Sequence, residues 1–467
     1  MSGPAMMSAP LGPRAGGPVQ LKLGEALKQA QNFFVKGELD AAERIAAAIV
    51  AKRPHQTTAV QILAGIAEKR GQRERAIELL RQALTGGSGD ALALMNLCRL
   101  LRLNGKFEES REAGERAVAL GTLPEALVDL ADTHAAMGDS GRALELFESA
   151  VAKRPNLARA RLGLAQALLL KGDLRSGWAE YEWRYRLPKT QDILPKFKQP
   201  QWNGMKLTSS RLLVICEQGY GDCFQFARYL PLVAERVKDV FVGAGGEIRP
   251  VIERVKGSHK CYERWEHIPP FDFQIALSSL PLVFGTTLET IPSNVPYLAA
   301  DAAKADAWRA KLAARAEGRK TVGFAWQGRP QHPNDRARSI ALGHLTRLIE
   351  LENILPVSLQ VGAGREQLAQ HPARARVLDA ADELTTFDDT AALISQLDCV
   401  VTIDSAIAHL AGGLARPGLV MLPKAAEWRW LEGRADSPWY PTLELIRQDA
   451  SATWDGVVAR AAERLRA

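Results

Sequence analysis

The sequence predicts an α region followed by an α/β region: a stack of helical hairpins in the first half, then two parallel β-sheets flanked by helices. Three observations predict it. Glycines recur at Gly37, Gly71, Gly105, Gly138 and Gly172, spaced 34, 34, 33 and 34 residues apart, and self-similarity at such a period marks a repeat array. Beyond residue 210 the pattern changes to short apolar runs separated by helical stretches, which is how parallel sheets read. Between the two, residues 188–210 are a Pro, Gly, Lys and Gln mixture without periodicity, which reads as a linker.

At 467 residues the chain suggests about three domains. With 46% hydrophobic and 24% charged residues it is neither fibrous nor wholly disordered. A net charge of +7 over this length gives little sign of a nucleic-acid groove, so no nucleic-acid partner is expected. No run approaches the roughly eighteen apolar residues of a bilayer span, so no transmembrane segment is expected. Residues 1–18 are rich in Gly, Pro and Ala, without a basic start and an apolar core. They read as a disordered leader rather than a secretion signal, and the protein is expected to be cytoplasmic. The five cysteines (Cys98, Cys216, Cys223, Cys261, Cys399) are scattered and never form C-x-x-C, which argues against a disulfide framework or a structural zinc.

In the array, a small residue stands seven positions before each glycine (Ala30, Ala64, Cys98, Ala131, Ala165) and another five after it (Ala42, Ala76, Ser110, Ala143, Gly177). Small side chains there let two helices approach closely. The glycine ends the first helix in the left-handed conformation, and Pro54 and Pro155 end the second. This pattern resembles the tetratricopeptide repeat. It is clearest over 124–155, with Ala131, Gly138, Ala143, Phe147, Ala150 and Pro155 in register, and the array is assigned to 19–187 as about five repeats. Such repeats stack into a superhelix whose concave face suits a peptide, so a protein partner is expected there. The alternative is that the array only supports the second half or mediates self-association into a homo-oligomer. Trp178, Tyr181 and Tyr185 fall at i, i+3, i+7, a stripe expected to pack the array onto the second half of the chain.

Residues 211–216, 240–243, 321–326, 355–360, 399–403 and 418–422 read as buried strands. Residues 281–296 and a helix at 302–316 separate two sheet domains, 211–316 and 317–467, and 454–467 is amphipathic and should fold back as a helix. Three turns attract attention, because ligands of parallel sheets bind at the carboxyl ends of strands. The first is Glu217-Gln218-Gly219-Tyr220-Gly221-Asp222, opening a helix at 223–236; Phe224 stands where a dinucleotide fingerprint needs its third glycine. Asp222 either caps that helix or reaches out as a general base. The second, 326–339, carries Arg329, Arg336 and Arg338 with Gly328 and His332. Guanidinium forks suit phosphate oxygens, or the loop is simply solvated and charged. The third, 403–413, runs from a strand into a small-residue helix whose N-terminus is an anion site by geometry. There Asp404 accepts from ribose hydroxyls or caps the helix, and His409 is a ligand contact or a satisfied helix histidine.

At these turns the sequence is similar to heptosyltransferase-like glycosyltransferases of family 9 fused to tetratricopeptide repeats. The residues that carry the resemblance are Glu217 to Asp222 with Phe226-Ala227-Arg228-Tyr229-Leu230-Pro231; Trp326-Gln327-Gly328 with Asp335 and Arg338-Ser339; and Asp404-Ser405-Ala406 with His409-Leu410-Ala411. Trp428-Arg429-Trp430-Leu431 and Asp436-Ser437-Pro438-Trp439-Tyr440-Pro441 add to it. The resemblance implies a GT-B pair of Rossmann-like domains behind the tetratricopeptide solenoid, with the acceptor side in 211–316 and the nucleotide-sugar side in 317–467. It implies a nucleotide-sugar donor as co-substrate, no cofactor and no metal, and neither half carries an Asp-x-Asp pair. Asp222 becomes the base that deprotonates an acceptor hydroxyl, with Glu217, Gln218, Gly219 and Gly221 forming the acceptor-side loop. Gln327, Gly328, Arg338, Gln360, Asp404, Ser405, Ala406 and His409 become donor-binding residues. Family members often carry a lysine where Val361 follows Gln360, so phosphate neutralisation falls to Arg329, Arg336 or Arg338. The repeat fusion favours a protein acceptor, with flagellin or another surface protein as the candidate. The competing reading is a non-catalytic scaffold with a degenerate nucleotide-sugar-binding half.

Overall fold

The structure, a computed structural model, describes residues 6–8, 20–85, 89–121, 123–188, 194, 197–332 and 334–466. Of the leader expected at 1–18, residues 6–8 form a short strand β1 (Met6–Ser8) that pairs antiparallel with β2 (Gln20–Lys22); the rest lies outside the described residues. Helices come in consecutive pairs: α1 (Leu23–Lys36) and α2 (Leu39–Lys52), α3 (Thr57–Lys69) and α4 (Arg73–Leu84), α5 (Ala91–Leu103) and α6 (Phe107–Ala119), α7 (Pro124–Met137) and α8 (Ser140–Lys153), α9 (Ala158–Lys171) and α10 (Leu174–Tyr181). The chain divides into two compact units inside α9, at 1–164 and 165–467, whereas the sequence reading ended the array at 187.

In the first unit the period of the sequence becomes a period of the backbone. Gly37 closes α1 and Gly138 closes α7, each at φ 81°, a left-handed conformation that a residue without a Cβ adopts without strain. Ala30, Ala42, Ala76 and Ala131 are fully buried at the helix crossings. The third hairpin has Cys98 and Ser110 at these positions. The two departures belong together, because the Ser110 hydroxyl donates to the Cys98 backbone carbonyl at 2.7 Å. Successive first helices are laced by ion pairs one repeat apart. Arg99 makes a two-pronged contact with Glu68 at 2.6 and 2.7 Å, and Arg159 donates to Asp129 at 2.7 Å.

The second unit carries two all-parallel sheets. The first has the order β5-β4-β3-β6, with β3 (Leu207–Ile215), β4 (Val237–Gly243), β5 (Lys260–Tyr262) and β6 (Phe273–Ala276). The second has the order β12-β11-β10-β7-β8-β9, with β7 (Lys320–Ala325), β8 (Ile354–Ser358), β9 (Leu378–Asp379), β10 (Cys399–Ile403), β11 (Gly418–Leu422) and β12 (Leu443–Arg447). Both sheets have Rossmann-like strand orders, and in the chain they follow the helical repeat array. Strand order reverses between β3 and β6 and between β7 and β10, the points outside which such sheets bind ligands. The three turns singled out in the sequence come after β3, β7 and β10. Val322, Phe324, Val401 and Met421 form one core with Leu345 and Leu348 and with Val457, Ala461 and Leu465 of the helix Trp454–Arg466.

Some elements differ from the sequence reading. The helix expected at 223–236 starts earlier, as α11 (Tyr220–Phe226), and continues as a 3-10 turn, Ala227–Tyr229, and a short helix, Leu230–Ala234. Pro231 has no N–H to carry the first helix onward. The strands Lys260–Tyr262, Phe273–Ala276 and Leu378–Asp379 are too short to show a period. Among the described residues no helix is long and apolar enough to cross a membrane.

The aromatic stripe is part of the second unit. The Trp178 ring meets Phe226, Trp428 and Trp439 edge-on with centroids at 6.1, 5.4 and 6.2 Å, and its indole N–H donates to the Thr286 carbonyl at 3.2 Å. Just beyond it, Arg184 and Tyr185 reach the loop after β3. Arg184 donates to the Ser279 hydroxyl at 2.7 Å and faces the Glu217 carboxylate at 3.5 Å, with side-chain exposures of 4% and 2%. Removing one partner of a buried ion pair leaves an uncompensated charge. Arg184→Ala is therefore expected to lower unfolding stability by about 3–5 kcal/mol, read from urea denaturation; a loss under about 1 kcal/mol, the level of an exposed pair, would show that water replaces the guanidinium.

Candidate functional site

The loop after β3 divides its residues between support and site. Glu217 points inward, accepting from the Tyr185 hydroxyl at 2.8 Å and from Ser278. Burial pushes its carboxyl up, against the pull of Arg184. The sequence reading set Glu217 on an acceptor-side loop; the structure makes it the anchor of that loop, because Arg184 and Tyr185, distant in sequence, enclose it. Gln218 is half-buried, and its carbonyl accepts from the Cys223 thiol at 3.8 Å. Gly219 is exposed and takes the N-cap position of α11. Gly221 is required by a close approach: a Cβ there would lie 2.7 Å from the His409 ring and 3.5 Å from the Ala406 Cα. The helix after β3 thus packs directly on the helix after β10, and the carboxyl edges of the two sheets meet.

Asp222 stands in the first turn of α11, yet its carboxylate turns to the other half of the unit. Its Oδ1 accepts from Arg429 through Nε, at 3.1 Å, and through a terminal nitrogen. Arg429 also donates to Glu427 and lies over the Trp428 ring at 4.2 Å. Among the described residues the Asp222 side chain is paired with Arg429 and caps no N–H of α11.

The loop after β7 is built around buried amides and one arginine. The Gln360 side chain accepts from the backbone N–H groups of Trp326 and Gln327, both at 3.0 Å, and donates to the carbonyls of Gln327 at 3.0 Å and Ala363 at 2.7 Å. The sequence reading turned Gln360 toward the donor; the structure uses both ends of its amide to staple two loops, because those loops would otherwise bury unpaired backbone groups. The Gln327 side chain accepts from Gln367 at 2.9 Å. Gly328 donates to the Ser339 hydroxyl at 3.0 Å, which donates to Asp335 at 2.8 Å, and a Cβ on Gly328 would lie 2.8 Å from the Arg338 guanidinium. Arg338 donates to the Asp404 backbone carbonyl at 2.9 Å, while Arg329 and Arg336 are exposed. One of the three arginines therefore joins the loops after β7 and β10.

After β10, the Ser405 hydroxyl caps the helix Ala406–Gly413 by accepting from the Ile407 N–H at 3.3 Å. Asp404 is buried, and burial pushes its carboxyl up to about 6; Glu427 adds to the shift, while the Trp430 indole, Arg338 and Arg429 oppose it. Burial also pulls His409 well below its ordinary range, with Arg429, Arg228 and Arg338 adding to it. The imidazole Nδ1 lies 2.9 Å from the Tyr440 hydroxyl and the ring is stacked on Trp430 at 5.3 Å. These contacts occupy one ring nitrogen and one face of His409. His332 is also pulled down, by burial and by Arg338.

The structure thus brings Asp222, Gly221, Gly328, Arg338, Asp404, Ser405 and Ala406 to one locus, and turns Glu217, Gln360 and His409 into its supports. Sequence reasoning gave no role to Arg429 and Glu427, nor to Arg228. The last is buried and donates to the carbonyls of Gln225 at 2.8 Å and Trp439 at 2.7 Å and to the Tyr297 hydroxyl at 3.0 Å, joining the two sheet halves. The available signal was an arginine between two tryptophans, since a cation flanked by buried rings needs a carboxylate partner. Among the described residues no group of three or more His, Cys, Asp or Glu side chains could hold a metal ion.

Comparison with known proteins gives three findings. The family model for the tetratricopeptide repeat matches residues 27–91, 63–123 and 128–176, so these hairpins are tetratricopeptide repeats. Protein FlbA of Caulobacter vibrioides is 29% identical over 451 residues, covering 89% of this chain and 73% of FlbA. Among solved structures, the α/β region is similar to a glycosyl transferase of family 9 from Veillonella parvula, at 12% identity and a TM-score of 0.41 over 56% of this chain and 98% of that one. It is also similar to the E. coli ADP-heptose lps heptosyltransferase II, at 18% identity and a TM-score of 0.40 over 55% and 97%.

Proposed function

We propose that the protein is a metal-independent GT-B glycosyltransferase, and that it moves a sugar from a nucleotide-sugar donor onto a protein acceptor held by its tetratricopeptide array. The observation that carries this reading is the meeting of two switch-point loops. A carboxylate from the first sheet, Asp222, faces the cations of the second, beside the N-terminus of the helix Ala406–Gly413. Backbone N–H groups, a helix dipole and guanidinium groups are what a leaving diphosphate needs. In the proposed step the acceptor hydroxyl gives its proton to Asp222 as its oxygen bonds to the anomeric carbon. The bond from that carbon to the diphosphate oxygen breaks, and the nucleoside diphosphate leaves with the electron pair. The donor diphosphate lies against Gly328, Arg338 and Ser405–Ala406, and the array presents the polypeptide. The acceptor is flagellin or another surface protein, modified in the cytoplasm.

The reading is tested by a thermal-shift screen against UDP-, GDP-, ADP- and CMP-sugars, followed by assay of nucleotide release, a diphosphate from the first three and CMP from the last. A donor at 100 times its dissociation constant adds about 2.7 kcal/mol. Binding without turnover of any donor, with an acceptor extract present, identifies a non-catalytic scaffold instead. Arg338→Ala is expected to weaken nucleoside diphosphate binding by about 1.5–3 kcal/mol, the range of a charge-assisted hydrogen bond, while leaving the free nucleoside unaffected in titration calorimetry. Equal loss for both ligands places Arg338 away from the phosphates.

A further inference from the structure

We propose that Arg429 is a donor-phosphate ligand held in reserve by Asp222, so that arrival of the donor diphosphate draws the guanidinium away and frees the carboxylate for the acceptor. This rests on the transferase reading above. Arg429 is nearly buried, and its three nitrogens are shared between Asp222 and Glu427 while its face rests on Trp428. Among the described residues, the Asp222 carboxylate takes its hydrogen bonds from Arg429 alone. As it stands, Arg429 is shared between Asp222 and Glu427, Arg338 lies 3.7 Å from Asp335, and Asp404 is a further carboxyl group in the same locus. A nucleoside diphosphate entering beside Asp404 brings further negative charge into a site already short of cations. Arg338 is tied to the Asp404 carbonyl, whereas Arg429 presents a planar fork of donors that fits phosphate oxygens as well as it fits a carboxylate. Exchange of Asp222 for phosphate relieves both problems at once: the diphosphate gains a counter-charge and Asp222 loses the donors that occupy it. Donor must then bind before acceptor.

The test is a double-mutant cycle on UDP, GDP and ADP binding by calorimetry, with the matching nucleosides as controls, in the full chain. If Asp222 competes for Arg429, Asp222→Asn tightens the bound nucleoside diphosphate by roughly tenfold or more, the scale of one charge-assisted hydrogen bond. Arg429→Gln weakens it by a similar factor, and nucleoside affinity stays level in both. The gain from Asp222→Asn disappears in the Arg429→Gln background. Should that gain persist without Arg429, simple repulsion by Asp222 explains it and the exchange is overturned. An Asp222→Asn variant with unchanged or weaker diphosphate binding overturns it too. Arg429→Lys, which keeps the charge but loses the fork, guards against misfolding of the glutamine variant and is expected to fall between the two. If wild type binds no nucleotide, CMP included, both this inference and the transferase reading fail; if it binds only CMP, or binds a nucleoside diphosphate without coupling in the cycle, only the exchange fails.

Discussion

Replacing Asp222 by asparagine is expected to lower turnover by about 100-fold or more, the usual contribution of general-base help, without loss of fold. The amide oxygen can still accept from Arg429, and Glu427 still pairs with that guanidinium, so melting temperature stays near that of wild type. What asparagine lacks is a proton acceptor of useful basicity. Asp222→Ala removes the partner of a largely buried guanidinium as well and should lose stability in addition to turnover. Initial rates and melting curves for wild type and both variants separate chemistry from structure. An asparagine variant that turns over at the wild-type rate ends the assignment of Asp222 as the base.

The second large effect concerns where the array can be cut. A chain beginning at residue 157 keeps α9, α10 and the Trp178–Tyr185 segment, and with them the whole of the compact unit 165–467. It is expected to fold and to bind nucleotide within a few-fold of the full chain, while transfer to a protein acceptor falls to background. A chain beginning at 188 has the same sheets but lacks Trp178 and Arg184. The first leaves a tryptophan-sized hole, worth about 3–5 kcal/mol, and the second leaves Glu217 buried without its cation, worth a similar amount. Against a total stability of about 5–15 kcal/mol these losses are not tolerated, and this chain is expected to show no cooperative melting by circular dichroism. Folding of the 188 chain would mean that the aromatic segment is an accessory. Retained transfer by the 157 chain would remove the array from acceptor recognition.

The repeat period, the two sheets and the three turns were legible in the chain because each is a local or periodic property. A glycine every 34 residues with small residues on either side dictates helical hairpins wherever it occurs, through the left-handed turn and the close crossing it permits. Apolar runs such as 399–403 and 418–422 were placed to the residue, since a strand buried on both faces is written in consecutive side chains. The turns could be located from the strands, as ligand loops must sit where strands end.

What the chain could not show is which partner each polar group takes. Glu217 and Gln360 have the residue type and position of site residues, and each is instead enclosed by groups 32 to 34 residues away. The Asp222–Arg429 pair joins residues 207 apart, and neither neighbourhood in sequence points to the other. The array is legible to 187 by pattern, whereas the division into compact units falls inside α9 and Trp178, beyond it, finds its aromatic partners in Phe226, Trp428 and Trp439. Periodicity tells which face of an element is buried; the choice of partner depends on short-range forces that act only once distant segments are within a few ångströms, and the tertiary fold alone brings them there.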